Sequence, residues 1–117
     1  MARIVVECSD YFGPRGARKP AWRQRKENYI KHLSQAMNDT LLVSAADKLH
    51  NARAIAHDAK HQGRSIWKRF SAEPAEILWY YQSLVKAYRK RRHTSLRVIL
   101  IELELAVADL ARAVKRL

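Results

Sequence analysis

The sequence predicts an all-α fold, a small bundle of about five helices forming a single domain over residues 1–117. Three observations point there. Alanine, leucine, lysine, arginine and glutamate dominate the composition, and these residues lose least on entering a helix. Glycine and proline, which interrupt helices, number only three each. Apolar residues recur every three or four positions, and no pair of alternating runs marks a β-hairpin. A chain of 117 residues, 48% hydrophobic and 29% charged, folds around one modest core and is not disordered.

The elements follow in order. Residues 1–8, with Ile4 and Val5 apolar, read as the end of a helix. Gly13, Pro14, Gly16 and Pro20 make the next stretch a loop, and Pro20 suits the first turn of a helix. Trp22, Lys26, Tyr29, Ile30, Leu33 and Met37 then recur at helical spacing. Asn38–Thr40 reads as a turn and cap in which Asp39 or Thr40 accepts backbone N–H bonds. From Leu41, a helical side is traced by Leu42, Ala45, Ala46, Leu49, Ala52 and Ile55, with Gly63 ending the helix.

Ile66, Trp67 and Phe70 suggest a short apolar helix. Pro74 opens another, with Ile77, Leu78, Tyr81, Leu84, Val85 and Tyr88 on one face. The basic run from Lys90 to Ser95 connects it to a last helix. There Leu96, Leu100, Leu103, Val107, Leu110, Val114 and Leu117 alternate spacings of four and three, a heptad seam. The seam offers either an interface to a second copy or a packing face for the helix of Ile77–Tyr88.

The net charge of +12 attracts polyanions and also serves solubility. Cys8 is the only cysteine, so a disulfide within the chain is excluded and a reducing cytoplasmic setting is expected. No apolar run approaches the length of a bilayer crossing, so no membrane partner is expected.

Asp47 stands out. It falls in the helix that begins near Leu41, among apolar residues, with His50 and Asn51 within a turn. A bare buried carboxylate costs several kcal/mol unless it is paired, neutralised or bound to a metal. An ion pair with Arg53, or with a base on the preceding helix, is the plainer solution.

The words around Asp47 carry a resemblance. AADKLHNARAI, with Ala46, Asp47, Leu49, His50, Asn51 and Arg53 in place, resembles the block around the last metal-binding aspartate of HD-domain phosphohydrolases. It is most similar to the Rel/Spo-type hydrolases of guanosine tetra- and pentaphosphate and to small stand-alone HD proteins. ECSD, RQRKENYIKHL, SIWKRF and ILWYYQSLVKAY extend the likeness over roughly Arg3–Tyr88.

The resemblance implies an HD-like all-α scaffold and a divalent, manganese-like ion that activates water against a phosphoester or pyrophosphate. It implies Asp47 as a metal ligand, and Asn51, Arg25 and Lys26 near a nucleotide polyphosphate. The family's ion also takes a histidine and a consecutive His-Asp pair upstream. Here the only histidine before Asp47 is His32, which is followed by Leu33. His57-Asp58 comes after Asp47, about 15 Å further along the helix, and cannot share its ion. His57 and His61, one turn apart, form a pair able to take a stray transition metal.

The expectation is therefore a truncated HD-like domain, inactive alone, with no residue assigned as catalytic. Two alternatives stand beside it. A complementing chain that supplies the upstream histidine and His-Asp pair completes a hydrolase, whereas a homo-oligomer through the heptad seam would only cover the inert domain's open apolar faces. Or the chain is a small basic binder of nucleic acid, using Arg15, Arg18, Lys19, Arg23, Arg25, Lys26, Lys31 and Arg89–Arg92, with Trp22 and Tyr29 stacking on bases.

Overall fold

The computed structural model describes residues 21–117. They form four α-helices: α1 (Trp22–Leu33), α2 (Asn38–Gln62), α3 (Pro74–Arg91) and α4 (Arg97–Lys115). Two 3-10 stretches, Gly63–Arg69 and Thr94–Leu96, precede α3 and α4. The count is thus four rather than five among the described residues. The expected short helix at Ile66–Phe70 is 3-10, and the segment 1–8 lies outside the described residues.

Local chemistry sets the boundaries. Gly63 adopts φ 71° at the end of α2, a conformation that costs a side chain with a Cβ and costs glycine little. Pro74 opens α3 behind a capping box in which Glu73 and Glu76 satisfy each other's backbone N–H groups. The α1–α2 turn falls earlier than the apolar spacing implies, so α1 ends at Leu33 and α2 begins at Asn38. Asn38–Thr40, expected as a turn and cap, is instead the first turn of α2: Met37 is the N-cap without a side-chain cap bond, and Asp39 Oδ1 accepts the N–H of its neighbour Thr40 at 2.8 Å.

Arg91 holds that turn from a distance. Its Nη1 donates to Leu33 O and Ala36 O, each at 2.7 Å, and its Nη2 to Asn38 Oδ1 at 3.3 Å. Carbonyls orphaned at the end of α1 thereby gain a charged donor.

Consecutive helices run antiparallel, so α2 and α4 are parallel. Arg53 meets Glu102 near their middles, and Lys60 and His61 line a groove with Arg112 and Arg116 near their ends. α4 packs chiefly on α2 and α3, and α1 packs on α3. The core joins Leu41, Leu49, Leu84, Leu103 and Leu110, with Tyr29 and Tyr88 fully enclosed. Ser44 Oγ lies 2.6 Å from both tyrosine hydroxyls, a buried ladder across α1, α2 and α3.

The heptad seam of α4 is spent within the chain: Leu96, Leu103, Val107 and Leu110 are buried. It does not serve as an outer interface. The exposed apolar residues of α4 are instead Val98, Ile101 and Leu105. The buried side of α2 also differs slightly from expectation, running through Leu41, Ser44, Ala45, Lys48 and Ala52, with Ala46 exposed. No described helix is long and apolar enough to cross a membrane.

Candidate functional site

The 100° step between successive helical residues decides where Asp47 points. With Ser44, Ala45 and Lys48 facing inward, Asp47 turns to the edge of the buried face, and its side chain is 48% exposed. The apolar burial expected for it is therefore corrected. Asp47 Oδ2 lies 3.3 Å from Lys48 Nζ and accepts a long bond from Asn51 Nδ2 at 3.4 Å. Arg53 does not serve Asp47; it donates to Glu102 on α4 at 2.9 Å.

Lys48 is the residue that sequence reasoning missed. It is 8% exposed. Its aliphatic stem is buried while the ammonium reaches the edge, 4.7 Å from the Tyr29 ring centre and 6.0 Å from that of Tyr80. The signal was available: Lys48 lies four residues after Ser44 and four before Ala52, on the buried line.

A second ammonium reaches the same ring from α1. Lys26 Nζ lies 4.7 Å from the Tyr80 centre and 5.7 Å from that of Trp22. Arg23 stacks on Trp79 at 3.4 Å, and Trp22 packs against both Trp79 and Tyr80. The contacts thus join three of the four residues expected at the site, Lys26, Asp47 and Asn51, through Lys48 and Tyr80. Arg25 is half-buried on α1, one turn before Tyr29, and none of these contacts joins it to the group.

Tyr81 closes the floor. Burial, and secondarily the charge of Asp47, push its hydroxyl well above the usual tyrosine range, so it stays neutral. Two ammonium groups and an amide are donors suited to phosphate, backed by the Tyr80 and Tyr81 rings, which are themselves buried. Asp47 alone opposes an anion, and Lys48 offsets it.

The divalent ion implied by the resemblance does not fit these donors. Asp47 Oδ2 is already engaged by an ammonium and an amide. Among the described residues no three His, Cys, Asp or Glu side chains gather as a metal-holding group. Of the upstream carboxylates, Asp39 serves Thr40, Glu27 lies 3.9 Å from Arg23, and Glu7 and Asp10 fall outside the described residues.

The other candidates resolve separately. His57 is exposed, and Asp58 accepts from Arg69 Nη2 at 2.9 Å, tying α2 to the following 3-10 stretch. That bond holds the Asp58 carboxyl below its ordinary range. Tyr29 is fully buried and cannot stack on a base. Arg89 is held by Glu104 at 2.6 Å and Arg91 caps α1, so half of the Arg89–Arg92 cluster has structural work. Arg15, Arg18 and Lys19 lie outside the described residues. Comparison with protein-family models finds no matching family, and comparison with curated proteins finds no match.

Proposed function

We propose that the chain is an HD-type, phosphohydrolase-like domain that binds a nucleotide polyphosphate without turning it over alone. The family reading rests on the block from Ala46 to Arg53. The observation that carries the binding reading is the meeting of Lys26 and Lys48 over one Tyr80 ring, beside Asp47 and Asn51. Two cations held on aromatic faces, with partly dehydrated stems, are poised for charge-assisted bonds to phosphate. Asn51 adds a neutral donor from the next turn of α2.

The lack of turnover follows from the donors. Attack of water on a phosphoester needs a group that activates the water and charge that stabilises the transition state. Lys26 and Lys48 supply charge. Asp47 is already engaged by Lys48 and Asn51. A separate chain bringing a histidine and a His-Asp pair would supply what is missing.

Calorimetric titration with guanosine tetraphosphate tests the reading. Saturable binding is expected, weakened about tenfold by Lys26→Ala and by Asn51→Ala. Absence of binding at low ionic strength, or equal binding by both variants, would refute it.

A further inference from the structure

Far from Asp47, a groove of about 340 Å³ opens between the parallel helices α2 and α4. Lys60 lies 13 residues beyond Asp47, about 20 Å along α2. Small residues, Ala56 and Ala106, form part of the lining and leave room between the helices. The walls are cationic. Arg53 and Lys60 stand on α2, Arg112 on α4 and Arg116 just after its end, against a single carboxylate, Asp109. Arg53 and Arg112 are already steered by Glu102 and Asp109. Lys60 and Arg116 have no carboxylate partner among the described residues.

His57 and His61 complete the lining, their ring centres 4.3 Å apart. An i, i+4 histidine pair invites a transition metal. Here the surroundings argue against one: four permanent cations line the same space, and Asp58 and Asp109 are each bonded to an arginine. Repulsion of a cation and attraction of an anion follow from the same charges.

Basic residues at helix C-termini also complement the helix dipole, which accounts for Lys60 and Arg116 singly. It does not account for Arg53, about two and a half turns before the end of α2, nor for His57, about one and a half turns before it, both facing the same groove. The volume is that of a small-ligand pocket, not of an extended nucleic-acid track. We infer that the groove between α2 and α4 binds a linear triphosphate chain, with Lys60 and Arg116 as its principal contacts and the imidazoles of His57 and His61 as donors.

NMR of the whole chain tests this through the Cε1–H signals of the histidines, titrated with inorganic tripolyphosphate. The signals of His57 and His61 should shift together and saturate. Occupancy of the Asp47 face alone would instead move His50, so failure of one site is distinguishable from failure of the other. Lys60→Glu combined with Arg116→Glu, both exposed positions, should weaken the groove titration about tenfold or more while the circular dichroism spectrum at the titration temperature stays that of the folded helical protein, the melt falling only by the lost helix-dipole charges. A nucleoside triphosphate titrating like tripolyphosphate assigns recognition to the phosphates, and tighter binding assigns part of it to the nucleoside. The inference fails if His57 and His61 do not move, or if the charge reversals leave the titration unaltered. It also fails if nickel alone moves these signals, or if an oligo-deoxythymidine binds the groove more tightly than tripolyphosphate.

Discussion

Lys48 Nζ lies 3.3 Å from Asp47 Oδ2, at the end of a stem buried beneath the Tyr29 and Tyr80 rings. A lysine in a core line is tolerated because its methylenes pack like an apolar residue and its charge emerges beside a carboxylate. Lys48→Met keeps the stem and removes the charge. Stability should change by less than about 1 kcal/mol in urea denaturation, while affinity for a nucleotide polyphosphate falls about tenfold. Lys48→Glu, which sets a second carboxylate beside Asp47 at a buried position, should cost several kcal/mol.

The ladder Tyr29–Ser44–Tyr88 makes a second prediction. Its bonds, both 2.6 Å, span three helices inside the core. Ser44→Ala takes one partner from two buried hydroxyls and leaves the volume nearly unchanged. The expected loss is about 1–3 kcal/mol, read from the denaturation midpoint, with no change in ligand affinity.

The two apolar faces of α4 should respond differently. Leu103 is fully buried between helices, whereas Leu105 is 64% exposed. Leu103→Ala should cost about 2–5 kcal/mol, and Leu105→Ala less than about 0.5 kcal/mol, in paired denaturation measurements. Equal losses would place the core seam wrongly.

Two groups give the stability a pH dependence of known sign. Arg69 holds the Asp58 carboxyl below its ordinary value. Its contribution is present above the unfolded carboxylate range and fades as pH falls through the lower folded value. Asp58→Asn should therefore flatten the acid limb of a stability–pH curve. Tyr81 shifts the other way, chiefly by burial. The unfolded phenol ionises near pH 10 while the folded one does not, so stability falls as pH rises beyond about 10. Tyr81→Phe should remove that part of the alkaline loss.

Much of the helical plan was legible because amphipathic periodicity is a local signal. Pro74, Gly63 and the α4 seam marked their elements correctly. The i, i+4 spacing of Asp47 and Asn51 likewise announced a shared helix face. Lys48 was missed because a binary apolar pattern treats every lysine as solvent-facing, although its spacing from Ser44 and Ala52 put it on the buried line. Ala46 misled for the converse reason, since an alanine fits either side of a helix. The capping of α1 by Arg91 and the meeting of Lys26 with Lys48 on Tyr80 join distant parts of the chain, and spacing says nothing about such pairs. For the family resemblance, the words around Asp47 were the most specific signal, with the flanking segments from Arg3 to Tyr88 in support, and the geometry speaks to what those residues touch.

Hydrolysis of guanosine tetraphosphate by the purified chain in the presence of manganese tests the central claim most directly. The account predicts bound nucleotide and no release of pyrophosphate above background, with Asp47→Ala behaving identically in turnover. Sustained pyrophosphate release that disappears in Asp47→Ala would contradict it.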